Sequence, residues 1–166
     1  MIESLPPLPE VLALNRLIEE LYRDGFVERR EIVRRVKELL ESLEADREQQ
    51  DRLLKLRERF CREQEFYRAL ASLFEAAAAM PAKEDLALAN YAVIRVLLAQ
   101  CVPGWESLDL EKKAEILALL YMALYHLKRY QETRHVRHIR SAATLAIDAL
   151  NALEDALGEQ VEPSGG

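Results

Sequence analysis

Two long stretches of this chain, residues 26–80 and 105–157, contain neither glycine nor proline. The five glycines and six prolines of the 166 residues lie outside these stretches, mostly near the termini. A straight helix rises 1.5 Å per residue, so each stretch would span about 75 Å as one helix. Few β-branched residues alternate with polar ones, and no strand pattern competes with the helical period. The sequence therefore predicts an all-α protein with two very long helical segments.

The first of these stretches follows a shorter amphipathic helix. That helix carries apolar residues at three- and four-residue spacing, and Gly25 is expected to end it in the manner of a C′ glycine. Residues 26–80 are apolar at both ends but polar from Glu44 to Arg52. Because turn residues are absent there, the pattern favours a continuous or kinked helix. A tight turn between two antiparallel helices is the alternative.

The helix expected at residues 83–101 is apolar on most of its circumference and belongs at the centre of the fold. Asp109 or Ser107 is expected to cap the next helix, which runs towards Leu157. The apolar residues in the first half of this helix and those in its last half do not fall on one continuous line along the helix surface. This mismatch predicts a kink or short break between Lys128 and Thr133. We thus expect an elongated antiparallel helical bundle of about five helices. It would comprise a proline-rich lead (1–8), a single bundle domain (9–158) and a flexible C-terminal tail (159–166).

The overall composition indicates a folded protein and bears on the cellular compartment in which it is expected. Half of the residues are hydrophobic and 31% are charged, which is typical of a folded globular protein. No apolar run is long enough to cross a bilayer, and the first residues lack the pattern of a signal peptide. Cys61 and Cys101 stand in apolar surroundings without a CxxC partner, and we expect buried thiols in a reducing compartment. The expectation is a cytoplasmic protein with no cofactor and no membrane contact.

The stretch from Lys128 to Arg140 is the strongest candidate site. It carries five Lys or Arg residues and two of the three histidines against one acid, Glu132. A helical wheel centred on Val136 and Ile139 sends a basic face outwards, which suits phosphate or an acidic partner. The alternative is a solvent-facing strip whose charge is offset by acids on neighbouring helices. The candidate binding residues are Arg129, Tyr130, Arg134, Arg137, His138 and Arg140.

Two local patterns in this stretch resemble known sites. Glu132 and His135 form a Glu-x-x-His pair, similar to one half of the metal site in ferritin-like carboxylate proteins, and the wheel places Glu132 on the core line. A second such pair is missing from the sequence. Arg129 followed by His135 resembles the Arg-x(4–6)-His motif of the helical nucleases called HEPN, which implies metal-independent RNA cleavage. Glu132 and His135 are therefore candidate metal ligands, and Arg129 with His135 a candidate nuclease pair.

These observations favour a non-catalytic helical subunit or adaptor that binds another protein or its own copy. The second hypothesis is a small helical subunit of a ribonucleoprotein complex that contacts nucleic acid through basic helix faces. A net charge of −6 argues against nucleic-acid binding over the whole surface. The third hypothesis is a carboxylate/histidine metal protein or a HEPN-like nuclease.

Overall fold

The computed structural model describes residues 9–26, 28–78 and 84–158, and within these ranges the chain forms helices and short connections only. The all-α class is therefore confirmed. The predicted proline-rich lead and the C-terminal tail lie outside the described residues. The helices are α1 (Pro9–Arg23), α2 (Arg29–Glu44), α3 (Arg47–Arg62), α4 (Gln64–Ala78), α5 (Glu84–Ala99), α6 (Pro103–Ser107), α7 (Leu110–Thr133) and α8 (Val136–Leu157).

Helix α1 ends at the glycine that the sequence indicated. Gly25 has φ of 89°, in the left-handed region that glycine adopts without steric cost. Its N–H donates to the carbonyl oxygen of Tyr22 at 3.1 Å, and the N–H of Phe26 donates to that of Leu21 at 2.9 Å. This pair of hydrogen bonds is a Schellman motif, which satisfies carbonyls at the end of the helix.

The first long stretch is divided into three helices, so the prediction of a continuous or kinked helix is wrong. Helix α2 ends at Glu44 and α3 begins at Arg47, within the polar stretch, and α3 gives way to α4 at Glu63. The carbonyl oxygen of Leu43, in the last turn of α2, accepts hydrogen bonds from the N–H of Asp46 at 3.3 Å and from the side chain of Gln50 at 3.1 Å. Polar side chains thus make the turn without glycine or proline. The exposed residues at this turn make no core contact that would hold one helix straight.

The second long stretch is also divided, into the packed neighbours α7 and α8. The break lies at Arg134 and His135, just beyond the predicted interval. The longest helix is therefore α7, with 24 residues. Eight helices in the described ranges replace the expected five or so, and neither stretch is one very long helix. The predicted cap of α7 is confirmed, since Asp109 accepts a hydrogen bond from the N–H of Lys112 at 2.8 Å.

Two helices share the centre of the fold. Helix α5 packs against α4, α7 and α8, and its Val93 is fully buried, which confirms its predicted central position. Helix α7 packs against α1, α2, α5 and α8, and every residue from Ile116 to Leu124 is buried. The sequence prediction had given the centre to the 83–101 helix alone. No helix in the described part of the chain is both long and apolar enough to span a membrane.

A disulfide joins Cys61, in the last turn of α3, to Cys101, just after α5. The two Cα atoms are 5.6 Å apart, and neither cysteine of the chain is free. The expectation of two buried thiols is therefore wrong. The apolar surroundings of the cysteines reflected the packing of α3 beside the end of α5. Because the thiols are paired, they no longer argue for a reducing compartment.

Candidate functional site

The break between α7 and α8 carries the candidate basic residues. Arg134 has φ of 62° and ψ of 17°, and it is the one non-glycine residue with positive φ among the described residues. Its N–H donates to the carbonyl oxygen of Tyr130 at 2.7 Å. The hydroxyl of Thr133 accepts a hydrogen bond from the N–H of His135 at 3.2 Å and donates to the carbonyl oxygen of Arg129 at 2.9 Å. These bonds end one helix and direct the chain into the next.

Three arginines project from this break into solvent. Arg134, Arg137 and Arg140 are exposed, and within the described ranges none of them forms an ion pair with a carboxylate. The guanidinium of Arg134 lies 5.6 Å from the ring centroid of Tyr130, within cation–π range. Arg129 is half-buried and donates to Glu132 at 3.1 Å. The structure therefore brings Tyr130 and Arg134 together, while Arg129 is already paired.

The start of α8 is electrostatically unusual. Its N-cap residue, His135, makes no side-chain capping bond, and its first turn holds no acid. Peptide dipoles place partial positive charge at a helix N-terminus, where acidic side chains stabilise and cations destabilise. Arg137 stands in this first turn and Arg134 just before it. Positive side chains thus add to a positive helix end, and an anion could be bound there.

Four sequence assignments in this stretch are corrected. His138, predicted to face outwards, is only 8% exposed, whereas Val136, predicted to face the core, is 55% exposed. Glu132, placed on the core line, is exposed and paired with Arg129, and His135 is exposed as well. For Glu132 the physical reason is the helix break, since a wheel drawn through residues 128–140 treats the axes of α7 and α8 as one. Val136 and His138 both lie on α8, and there the predicted line was rotated away from the buried face, which runs through His138, Ala142, Leu145 and Ala149.

The same break affects the two local resemblances, the Glu-x-x-His metal pair and the HEPN-like pair. Glu132 belongs to α7 and His135 precedes α8, so the two side chains do not share a helix face as a Glu-x-x-His metal pair requires. No group of three His, Cys, Asp or Glu side chains in the described ranges is arranged to hold a metal ion. Arg129 hydrogen-bonds to Glu132, which leaves its pairing with His135 unsupported by the geometry.

Helix α4 carries a second surface, which sequence reasoning missed. Phe66 and Leu73 are 59% and 68% exposed, and Ala69 and Ala76 continue the same line at three- and four-residue spacing. We call these four residues the α4 stripe. The other side of the helix packs into the core through Tyr67, Leu70 and Ala71. The signal was present in the sequence, since α4 carries apolar residues on both its buried and its exposed side.

No family model, curated protein or solved structure matches this chain.

Proposed function

We propose that this chain is a non-catalytic helical subunit that associates with its own copies, with the α4 stripe at the centre of the interface. The observation that carries the proposal is the exposure of Phe66 and Leu73 on a helix whose opposite face is already in the core. Apolar side chains scattered singly over a surface are normal, but a line of them along one helix is the pattern of a helix-packing surface.

The exposed apolar area of the α4 stripe determines how much free energy its burial can contribute to association. Burying a whole Phe or Leu side chain is worth about 1.5–3 kcal/mol. Because roughly two thirds of each side chain is still exposed, covering Phe66 and Leu73 contributes about 2–4 kcal/mol per copy. A symmetric dimer counts the stripe twice, about 4–8 kcal/mol, against an association cost of about 4–15 kcal/mol. The stripe would thus anchor an interface that extends beyond these four residues.

The test is the mass in solution as a function of concentration, measured by size-exclusion chromatography with light scattering. The wild type should form a dimer or larger species, and the double variant Phe66→Glu/Leu73→Glu should be monomeric. The control is Leu54→Glu on α3, which places the same new charge at an apolar residue that is 52% exposed outside the stripe. A wild type that stays monomeric at every concentration, or a control that dissociates as fully as the double variant, would contradict the proposal.

A second candidate function is the binding of an anionic partner, such as the phosphates of a nucleic acid, at the α7–α8 break. It is supported by the positive φ of Arg134, because such strain persists where a local conformation is needed. The exposed Arg137 and Arg140 without carboxylate partners support it as well. A bound anion would offset the electrostatic cost of these cations at the positive end of α8.

This candidate is tested with a single-stranded RNA oligonucleotide at low and moderate salt. Replacing Arg134, Arg137 and Arg140 together with Gln should weaken binding and make its salt dependence shallower, since fewer counterions are released. The matched control removes three exposed cations of α3, namely Arg52, Lys55 and Arg59. Equal losses in the two triple variants would show that the RNA responds to overall charge and not to this break. Absence of RNA binding by the wild type would exclude nucleic acid as the partner.

A further inference from the structure

Two histidines meet between α7 and α8, close to the break. The Nδ1 atom of His126 lies 3.0 Å from the Nδ1 atom of His138, and the ring centroids are 5.3 Å apart. At this distance a hydrogen bond requires that one nitrogen donates a proton and the other accepts it. Two neutral imidazoles meet this requirement. The Nε2 atom of His138 is buried and has no hydrogen-bond partner, so the site offers nothing to stabilise an added proton on that side.

The surroundings disfavour positive charge on either ring. The ring of Tyr22, from α1, lies edge-on to His126 with the centroids 5.5 Å apart, and Tyr125 lies similarly at 5.3 Å. The charged groups that act on His138 are the cations Arg137 and Arg129, together with His135. Arg29, at the start of α2, acts on Tyr22, whose pKa is raised to about 12 mainly by burial, so this phenol stays neutral. These groups belong to α1, α2, α7, α8 and the connection between α7 and α8.

Burial, followed by the influence of His138, lowers the pKa of His126 to about 4. Burial also lowers the pKa of His138, with smaller effects from Arg137, Arg129 and His135. Both rings are therefore neutral at neutral pH, a state in which one Nδ1 atom can donate and the other accept across the 3.0 Å contact.

We propose that the His126–His138 contact is a proton-sensitive switch that holds α7 and α8 together at their connected ends and releases them on acidification. When both imidazoles are protonated, each presents an N–H group to the other and neither nitrogen can accept. Two like charges then face each other in a partly buried site, under the influence of the cations Arg129 and Arg137. Separation of the two helices near the break relieves this repulsion and exposes His138 to water.

The sign of the pH effect follows from the direction of the shifts. Both histidines have a lower pKa in the folded than in the unfolded chain, so the unfolded chain binds more protons in acid. The contribution of the pair to stability is therefore complete above the ordinary histidine pKa of about 6.5. It decreases as the pH falls from there towards 4.

The test is the free energy of unfolding in urea, measured from pH 7.5 to pH 4.5, for the wild type and for His126→Gln/His138→Gln. Two glutamines can still hydrogen-bond to each other but do not titrate. Near pH 5 the slope of stability against pH should be steeper in the wild type by about one to two protons. Carboxylates titrate in both proteins, so their contribution cancels in this difference. The matched control is His135→Gln, which removes an exposed histidine beside the same break and should retain the wild-type slope.

Equal slopes in the wild type and the double variant would overturn the proposal. A second measurement on the unaltered chain covers the case in which the double variant does not fold. In an NMR titration, both imidazoles should gain protons below the ordinary histidine pKa of about 6.5. Over the same pH range the protection factors of the amides in the first turns of α8, which correct for the intrinsic pH dependence of exchange, should fall. Ordinary titration of both rings, or protection factors in α8 that do not change with pH, would also overturn it.

Discussion

The disulfide between Cys61 and Cys101 allows the sharpest quantitative prediction. It closes a loop with a sequence separation of 40 that contains α4 and α5. In the chain-entropy account, cross-linking removes about 2.1 + 1.5R ln n cal/mol/K from the unfolded chain, which for a loop of this length is worth about 4 kcal/mol at 25 °C. Residual structure in the unfolded chain and relaxation of the folded one reduce this value, so about 2–4 kcal/mol is expected on reduction.

The structure also predicts which helix will lose most stability when the disulfide is reduced. Among the described side chains of α3, only Leu53 and Phe60 are buried, so this helix has little other attachment to the core. After reduction, α3 should open before the central helices α5 and α7. Hydrogen exchange should therefore rise most in α3, because local opening follows the number of buried apolar contacts.

The assay is urea unfolding followed by circular dichroism, with and without a phosphine reductant. The control is Cys61→Ser/Cys101→Ser, which should have the stability of the reduced wild type and be unaffected by the reductant. Mass spectrometry after alkylation establishes the number of free thiols in each sample. If the reduced wild type, with two alkylated thiols, unfolds at the same urea concentration as the oxidised form, the disulfide contributes nothing to stability and the reasoning is refuted.

Substitutions at three further positions test the fold. Val93→Asp should cost several kcal/mol and prevent stable folding, because its carboxylate would be buried without a partner at the centre of α5; a melting temperature within a few degrees of the wild type would contradict the central position. Arg134→Gly should raise the free energy of unfolding by about 1 kcal/mol in urea, since glycine adopts positive φ without strain, whereas Arg134→Val should lower it. Asp109→Ala should lower it by about 1 kcal/mol through loss of the cap of α7, and an unchanged midpoint would show that the hydrogen bond to Lys112 is not needed.

The helical class and the buried lines could be predicted because they depend on periodicity and on the absence of breakers. Ile32, Phe60 and Tyr67 recur at multiples of seven residues in the first long stretch, and all three are buried. The exact positions of the helix ends without glycine could not be predicted in the same way. At the end of α2 the side chain of Gln50 donates to the carbonyl oxygen of Leu43, and at Arg134 an arginine adopts a conformation that arginine rarely adopts. Neither event leaves a pattern in composition.

The errors at the candidate site have two causes. The break at Arg134 separates Glu132 from the axis of α8, and within α8 the buried face is centred on His138 and not on Val136. The disulfide was missed for a different reason. Two cysteines far apart in sequence carry no local signal of pairing, and only the packing of α3 beside the end of α5 brings Cys61 and Cys101 together.

Three independent costs to stability coincide at the connected ends of α7 and α8. Arg134 is strained, arginines stand at the positive end of α8, and the Nε2 atom of His138 is buried without a partner. A sequence adjusted for stability alone would place glycine at the first position, an acid in the first turn and an apolar residue at the third. By contrast, the middle of α7, a few turns away, is closely packed and apolar from Ile116 to Leu124. Because the costs are concentrated at one end of a helix pair that is otherwise well packed, this end is where binding or a response to pH would be expected to act.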